Sequence, residues 1–314
     1  MLLVSIVCLT YNHAPYIRQC LDGFLMQKCD FDFEVLIHDD ASTDGTSDII
    51  REYAKNYPHI VKPIFQTENQ FTKGLQGVNM RFKFPRAKGK YIAMCEGDDY
   101  WTNPLKLKIQ VDYLEENSDH VLSFHNVKVV DKSDKIIVND RLTVNDDVSY
   151  PGEAMNTVFM PTLSLVFRNH IIDYKNFPKV FNGDAYLLGL LSPHGKARYH
   201  GFFGANYRMH TGGIYSGSSI IKNHLKSIET RKKLLQNIPA IMHRSVRQRS
   251  NYFYICLLVE YWQLRKLKAF TKTYFQMFSN LLKIGDLRLF FSSHKSVFIR
   301  LKNSSSSYDK FRIH

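Results

Sequence analysis

Short apolar runs that end in polar clusters, with helical spacing between them, constrain this chain most. Leu3 to Leu9 is a continuous apolar run, the pattern of a strand buried on both faces. After a polar loop, Pro15 suits a first helical position, where its missing N–H costs nothing. Ile17, Cys20, Leu21, Phe24 and Leu25 then recur at helical spacing. Phe33 to Ile37, Val61 to Phe65, Tyr91 to Cys95 and Val121 to Val130 read as further strands. Helices are expected from about Ser47 to Tyr57 and from Asn103-Pro104, an N-cap and first-turn pair, through Leu107, Val111 and Leu114. Strand and helix alternate, so an α/β sheet flanked by helices is expected. In such sheets ligands gather beyond the carboxyl ends of the strands. Thr10-Tyr11-Asn12, Asp39-Asp40 and Glu96 to Asp99 all fall there.

Charge divides the chain. The formal net charge is +13. Residues 1–220 hold 23 Lys and Arg against 25 Asp and Glu, whereas residues 221–314 hold 19 against 4. From about Lys222 helical patterns dominate, and Phe270, Tyr274, Phe278, Leu281 and Leu282 form a stripe beside Arg265, Lys266, Lys268 and Lys272. Two domains are therefore expected, an α/β one over 1–220 and a basic, mainly helical one over 221–314. The excess charge calls for an anionic partner, a membrane surface before nucleic acid, since no nucleic-acid motif accompanies it. The alternative is a solvated face, or a stripe that packs on the rest of the protein or on a second subunit. Ser304 to Ser307 reads as a frayed end.

Several classes are excluded. No uninterrupted apolar window of about 18 residues occurs, so no transmembrane helix is expected. The apolar start lacks a basic leader and reads as a strand rather than a signal peptide. The five cysteines are scattered and none forms a CxxC pair, which fits a reducing cytoplasm and argues against a disulfide framework or a zinc site. Thr10-Tyr11-Asn12-His13 stands where a dinucleotide fold would carry GxGxxG, which argues against an NAD-dependent oxidoreductase.

Glu96-Gly97-Asp98-Asp99 packs several carboxylates into one turn. Close carboxylates need a cation or a proton to coexist, and a divalent ion shared with substrate phosphates is a common solution. By spacing alone, a surface turn that caps the next helix fits equally.

Three stretches together resemble glycosyltransferase family 2. They are Val4 to Asn12, Val35 to Thr46, and Ala87 to Ala93 leading into Glu96 to Trp101. The resemblance spans roughly residues 1–215. It implies the GT-A fold, a Rossmann-like nucleotide-sugar-binding sheet with flanking helices, and an inverting transfer that uses Mn2+ or Mg2+. By matching position, Thr10, Tyr11 and Asn12 would line the nucleotide pocket. Asp40, with Asp39, would bond the base or ribose. Asp98 would bind the metal and Asp99 would support it or contact the sugar. Glu96 stands where the family usually has Asp, and residues 69–85 depart from its ARN-type pattern. Asp184, at a helix start before Tyr186 to Leu191, takes the place of the catalytic base, with an N-cap role as the bland alternative. His210 would complete the metal site, and Arg208 or the Gly212-Gly213 backbone would reach the diphosphate. Trp101 is either a sugar platform or core.

The expected activity is transfer of a sugar from a nucleotide-sugar, a UDP-sugar by resemblance, to a hydroxyl of a glycan or lipid-linked saccharide. It belongs to polysaccharide biosynthesis for the cell envelope, in the cytoplasm and at the inner face of its membrane. A catalytically silent sugar-nucleotide or glycan-binding module, a nucleotidyltransferase and a lipid-anchored scaffold are the competing readings.

Overall fold

The computed structural model describes residues 2–74, 79–144, 146–174, 177–210 and 219–303. The chain divides into two compact units, Met1–Ser216 and Gly217–His314.

In the first unit, β1 (Leu2–Thr10) and β2 (Asp32–Asp39) are joined through α1 (Ile17–Leu25). The helix α2 (Thr46–Asn56) leads from β2 to β3 (Val61–Phe65), and β4 (Tyr91–Glu96) completes a parallel set in the order β3-β2-β1-β4. These strands are apolar throughout because both faces are covered. Val4, Ile6, Cys8, Val35, Ile37 and Ala93 all lie at or below 2% exposure. Gly89 must be a glycine, since a Cβ there would lie 2.5 Å from the Ser5 backbone nitrogen.

The sheet then changes sense. After β5 (Tyr100–Trp101) and α3 (Lys106–Glu116) comes the long β6 (His120–Asp131), with β7 (Ile136–Val138) on its edge. Beyond β8 (Val148–Tyr150), the three-residue β9 (Val166–Arg168) inserts antiparallel between β4 and β6. Helix α4 (Gly183–Leu191) precedes β10 (Lys196–Met209), which runs parallel to β6 and carries β5 and β8 on it. The GT-A fold expected from the sequence is the fold observed. Helix α3 begins two residues beyond Pro104, because Asn103 Oδ1 accepts the Leu105 N–H (2.8 Å) and closes a turn first.

Trp101 proves to be core. It is 2% exposed, donates its indole N–H to the Leu163 carbonyl (2.9 Å) and meets Phe24 edge-on at 4.7 Å.

The second unit is a set of helices: α5 (Ile220–Leu234), α6 (His243–Gln263), α7 (Leu267–Ile284) and α8 (Leu287–Asn303). Its core gathers Tyr254, Leu257 and Leu258 of α6 with Met277 and Leu281 of α7. The expected stripe splits here: Leu281 turns inward, Phe270 and Tyr274 pack partly buried on that core, and Leu282 is 62% exposed. Gly285 at φ 70° ends α7 in the left-handed conformation that favours glycine. Among the described residues no helix is long and apolar enough to cross a membrane. Ser304 to Ser307 lie outside the described residues.

Candidate active site

Parallel pairing brings the polar clusters to one end of the sheet. Thr10 pairs with Asp39 across β1 and β2, and Leu9 with Glu96 across β1 and β4. The turn after β4 approaches the end of β1 closely: Gly97 donates its N–H to the Leu9 carbonyl (2.9 Å), and a Cβ on it would lie 2.8 Å from the Thr10 side chain. Residues 12–14 are strapped to the turn after β2. Asn12, at φ 54°, donates its N–H to the Ser42 hydroxyl, His13 donates to Thr46 Oγ1 and Ala14 to Asp44 Oδ2, each at 2.9 Å.

This strap sets His13 against the acidic turn. Asp98 Oδ2 lies 3.0 Å from His210 Nε2 and 3.7 Å from His13 Nε2. One ligand atom from each of the three residues falls within 4.8 Å of the others. Burial lowers the His13 pKa, so its imidazole stays neutral and keeps a lone pair for a metal. Burial works against ionisation of Asp98, yet the hydrogen bond with His210 holds its carboxyl below the usual value. His13 Nδ1 is buried with no hydrogen-bond partner among the described residues. The donor set of two imidazoles and a carboxylate fits a divalent transition metal. His13 was not singled out from the sequence, although it directly follows Thr10-Tyr11-Asn12.

The other carboxylates differ in role. Asp99 is 3% exposed and accepts the Arg208 backbone N–H at 2.7 Å. Burial, with Asp98 and Glu96 beside it, pushes its carboxyl well above the usual range. Glu96 is pushed up to about 8 by burial, with Asp98 and Asp184 adding and Lys83 opposing. That coupling places Asp184, exposed in the first turn of α4, within electrostatic reach of Glu96. Lys83 is fully buried, has no hydrogen-bond partner among the described residues, and is pushed down to about 7 by burial.

Asp40 is 2% exposed and accepts the backbone N–H groups of Gln70 (2.8 Å) and Phe71 (3.1 Å). A carboxylate has about four acceptor positions, so Asp40 both shapes the segment after β3 and keeps capacity for a ligand. Tyr11 is 42% exposed at the mouth of the site, whereas Thr10 is buried beneath Gly97.

Two further residues expected at the ligand have partners within the protein. Asp39 is 1% exposed and takes the Ser42 and Ser47 hydroxyls, so it braces the turn after β2. Arg208 is 3% exposed and its guanidinium is committed within the protein. It donates to the carbonyls of Asp98 (3.0 Å) and Asp131 (3.3 Å) and to Gln19 Oε1 (2.6 Å), and pairs with Asp134 at 2.9 Å. Its plane also lies over the rings of Tyr16 and Tyr100. It holds the acidic turn from behind. Gly212 and Gly213 lie outside the described residues.

The family model for glycosyl transferase family 2 matches residues 5–177, more than half of the chain. The chain belongs to glycosyl transferase family 2. An uncharacterized protein of Mycobacterium tuberculosis is 48% identical to this family 2 chain over 129 residues, 40% of this chain and 36% of that protein. The chain therefore spans little more than a third of that relative's length. WfaP of Escherichia coli, a UDP-Glc:α-D-GlcNAc-diphosphoundecaprenol β-1,3-glucosyltransferase, is 26% identical over 246 residues, 78% of this chain and 90% of WfaP. Among solved structures, residues 1–349 of S. aureus TarS in complex with UDP-GlcNAc superpose with a TM-score of 0.68 at 15% identity, over 100% of this chain and 95% of that one. At that identity the likeness speaks for the fold alone.

Proposed function

We propose that this family 2 chain transfers a sugar, with inversion, from a UDP-sugar to a hydroxyl of a glycan or lipid-linked saccharide. The observation that carries the reading is Asp98 set between His13 and His210, with the Asp184 carboxylate in electrostatic reach of the same turn. TarS binds a UDP-sugar and WfaP acts on a lipid-linked saccharide, which supports both substrate classes. His13, Asp98 and His210 would hold the divalent ion, and two imidazoles suit Mn2+ better than Mg2+. When bound, the ion supplies Lewis-acid stabilisation of negative charge on the diphosphate.

Tyr11, Asn12 and Asp40 would line the nucleoside side of the site. Asp184 would take the proton from the acceptor hydroxyl as that oxygen attacks the anomeric carbon. The bond from that carbon to the diphosphate oxygen breaks on the opposite face, and its electron pair leaves with the nucleoside diphosphate. Glu96, Asp99 and Arg208 keep the acidic turn in place. The basic helical region would meet an anionic membrane surface, which puts the enzyme in the cytoplasm at the inner face of the membrane, in cell-envelope polysaccharide synthesis.

Thermal-shift measurements with UDP-sugars, with and without manganese, test the donor and metal together. A manganese-dependent rise with one UDP-sugar is expected. No rise with any nucleotide in a folded sample would overturn the reading in favour of a silent module.

A further inference from the structure

The helical unit contains a depression of about 710 Å³ on its surface. Four cations from three helices line it: Lys232 of α5, Arg247 of α6, and Lys272 and Lys283 of α7. No Asp or Glu is among its lining residues, and none of the four cations has a carboxylate within ion-pair distance among the described residues. Two of the acids of this unit are engaged elsewhere: Glu229 pairs with Lys233 and Asp286 with Arg244. Like charges brought together around a concave surface repel one another, and an anion between them relieves that repulsion.

One side of the same depression is apolar. Ile228 and Tyr254 form a buried floor, and Phe275 stands at the rim, 65% exposed. The apolar character continues along the surface. Leu282 of α7 is 62% exposed, and Leu287, Phe291 and Phe298 of α8, spaced four and seven residues apart, are 69–74% exposed. Cations beside exposed aromatic and aliphatic side chains are the pattern of a surface that lies in a lipid interface. The cations converge on a pocket, so the pattern describes a seat for one head group rather than a diffuse positive face.

We infer that this depression is a binding site for the phosphate head group of an anionic phospholipid, with Phe275, Leu282 and the exposed face of α8 entering the bilayer interface around it. The inference rests on the membrane reading of the basic region given above. Lys232, Arg247, Lys272 and Lys283 supply charge-assisted hydrogen bonds to phosphate oxygens. Phe275 covers the glycerol and the first methylenes of the acyl chains.

The test uses the full chain and vesicles of phosphatidylcholine, alone or with one third phosphatidylglycerol. Wild type is expected to co-sediment with the anionic vesicles and not with the neutral ones. The pair Lys232→Glu with Lys272→Glu is expected to weaken that binding at least about tenfold. The pair Lys268→Glu with Lys295→Glu changes charge equally but lies outside the depression, and is expected to weaken binding about twofold or less. Phe275→Asn, which changes no charge, is expected to weaken binding by several-fold. All five substituted positions are exposed, and an unchanged melting temperature confirms folding. Equal losses in the two charge-reversal pairs would overturn the seat while leaving a diffuse membrane contact. Failure of wild type to bind anionic vesicles, or retention of single-stranded RNA in its place, would overturn the membrane reading itself. Manganese-dependent donor binding, measured on the same samples, reports separately on the catalytic unit.

Discussion

The same Oδ2 atom of Asp98 faces two imidazoles, His210 Nε2 at 3.0 Å and His13 Nε2 at 3.7 Å. Loss of either histidine should weaken manganese binding at least as much as loss of an outer-shell partner does, about 10–100-fold. Isothermal titration of His13→Ala and His210→Ala with manganese checks this. A His13→Ala protein with wild-type manganese affinity would remove His13 from the ligand set.

Asp184 should matter to the rate and not to donor binding. Asp184→Asn is expected to lower kcat by about 10²–10⁴-fold, the usual yield of general base catalysis. The KM for the UDP-sugar and the manganese-dependent thermal shift should stay near wild type. Full transfer by this variant would reassign Asp184 to capping α4.

Arg208 should behave as a structural residue. Truncation to Met leaves the carbonyls of Asp98 and Asp131 and the Asp134 carboxylate without their cation. A cost of about 1–3 kcal/mol is expected, as for buried acceptors left unpaired, because Asp134 itself is half exposed and can be hydrated. Urea unfolding measures it. A variant of unchanged stability with weaker diphosphate affinity would restore Arg208 to the ligand.

Acid should destabilise the first unit through its buried histidines. Burial lowers His38 to about 3 and His200 to about 4. Between those values and the ordinary 6.5 the unfolded chain binds the protons that the folded chain refuses, so stability rises with pH across this window and falls on acidification. Each histidine adds a slope of up to about 1.4 kcal/mol per pH unit. Urea midpoints at several pH values for wild type and His38→Phe check the sign, and the variant should show the shallower slope.

Much of the parallel half was legible in the sequence because its strands are uninterrupted apolar runs that end in polar turns. Val61 to Phe65 was read with the observed bounds, and β1, β2 and β4 to within a residue or two. The second half was harder to read. Strand β10 pairs with β6 through three register shifts and carries Gly201 and Gly204, so no period of two survives along it. The two residues of β5 and the three of β9 are too short to leave any period. Asp98, His210 and Asp184 stood out by motif and by place after an element. His13 did not, because its position depends on its own hydrogen bond to Thr46 and that of Ala14 to Asp44, some thirty residues away. The partners of Arg208 were hidden for a related reason: Gln19, Asp131 and Asp134 lie on elements far from it along the chain.

The insertion of β9 between β4 and β6 sets an order for synthesis. The edge of β4 opposite β1 has no strand to pair with until Val166 to Arg168 leave the ribosome, some seventy residues after the acidic turn has emerged. At about 5–20 residues per second that is a delay of several seconds. During it the apolar strand that leads into the acidic turn presents unpaired backbone groups, the kind of edge that invites wrong pairing. Chaperone dependence during translation, and sensitivity to codon choice over residues 97–168, would be the cellular signs of an acidic turn made well before its strand gains its second neighbour.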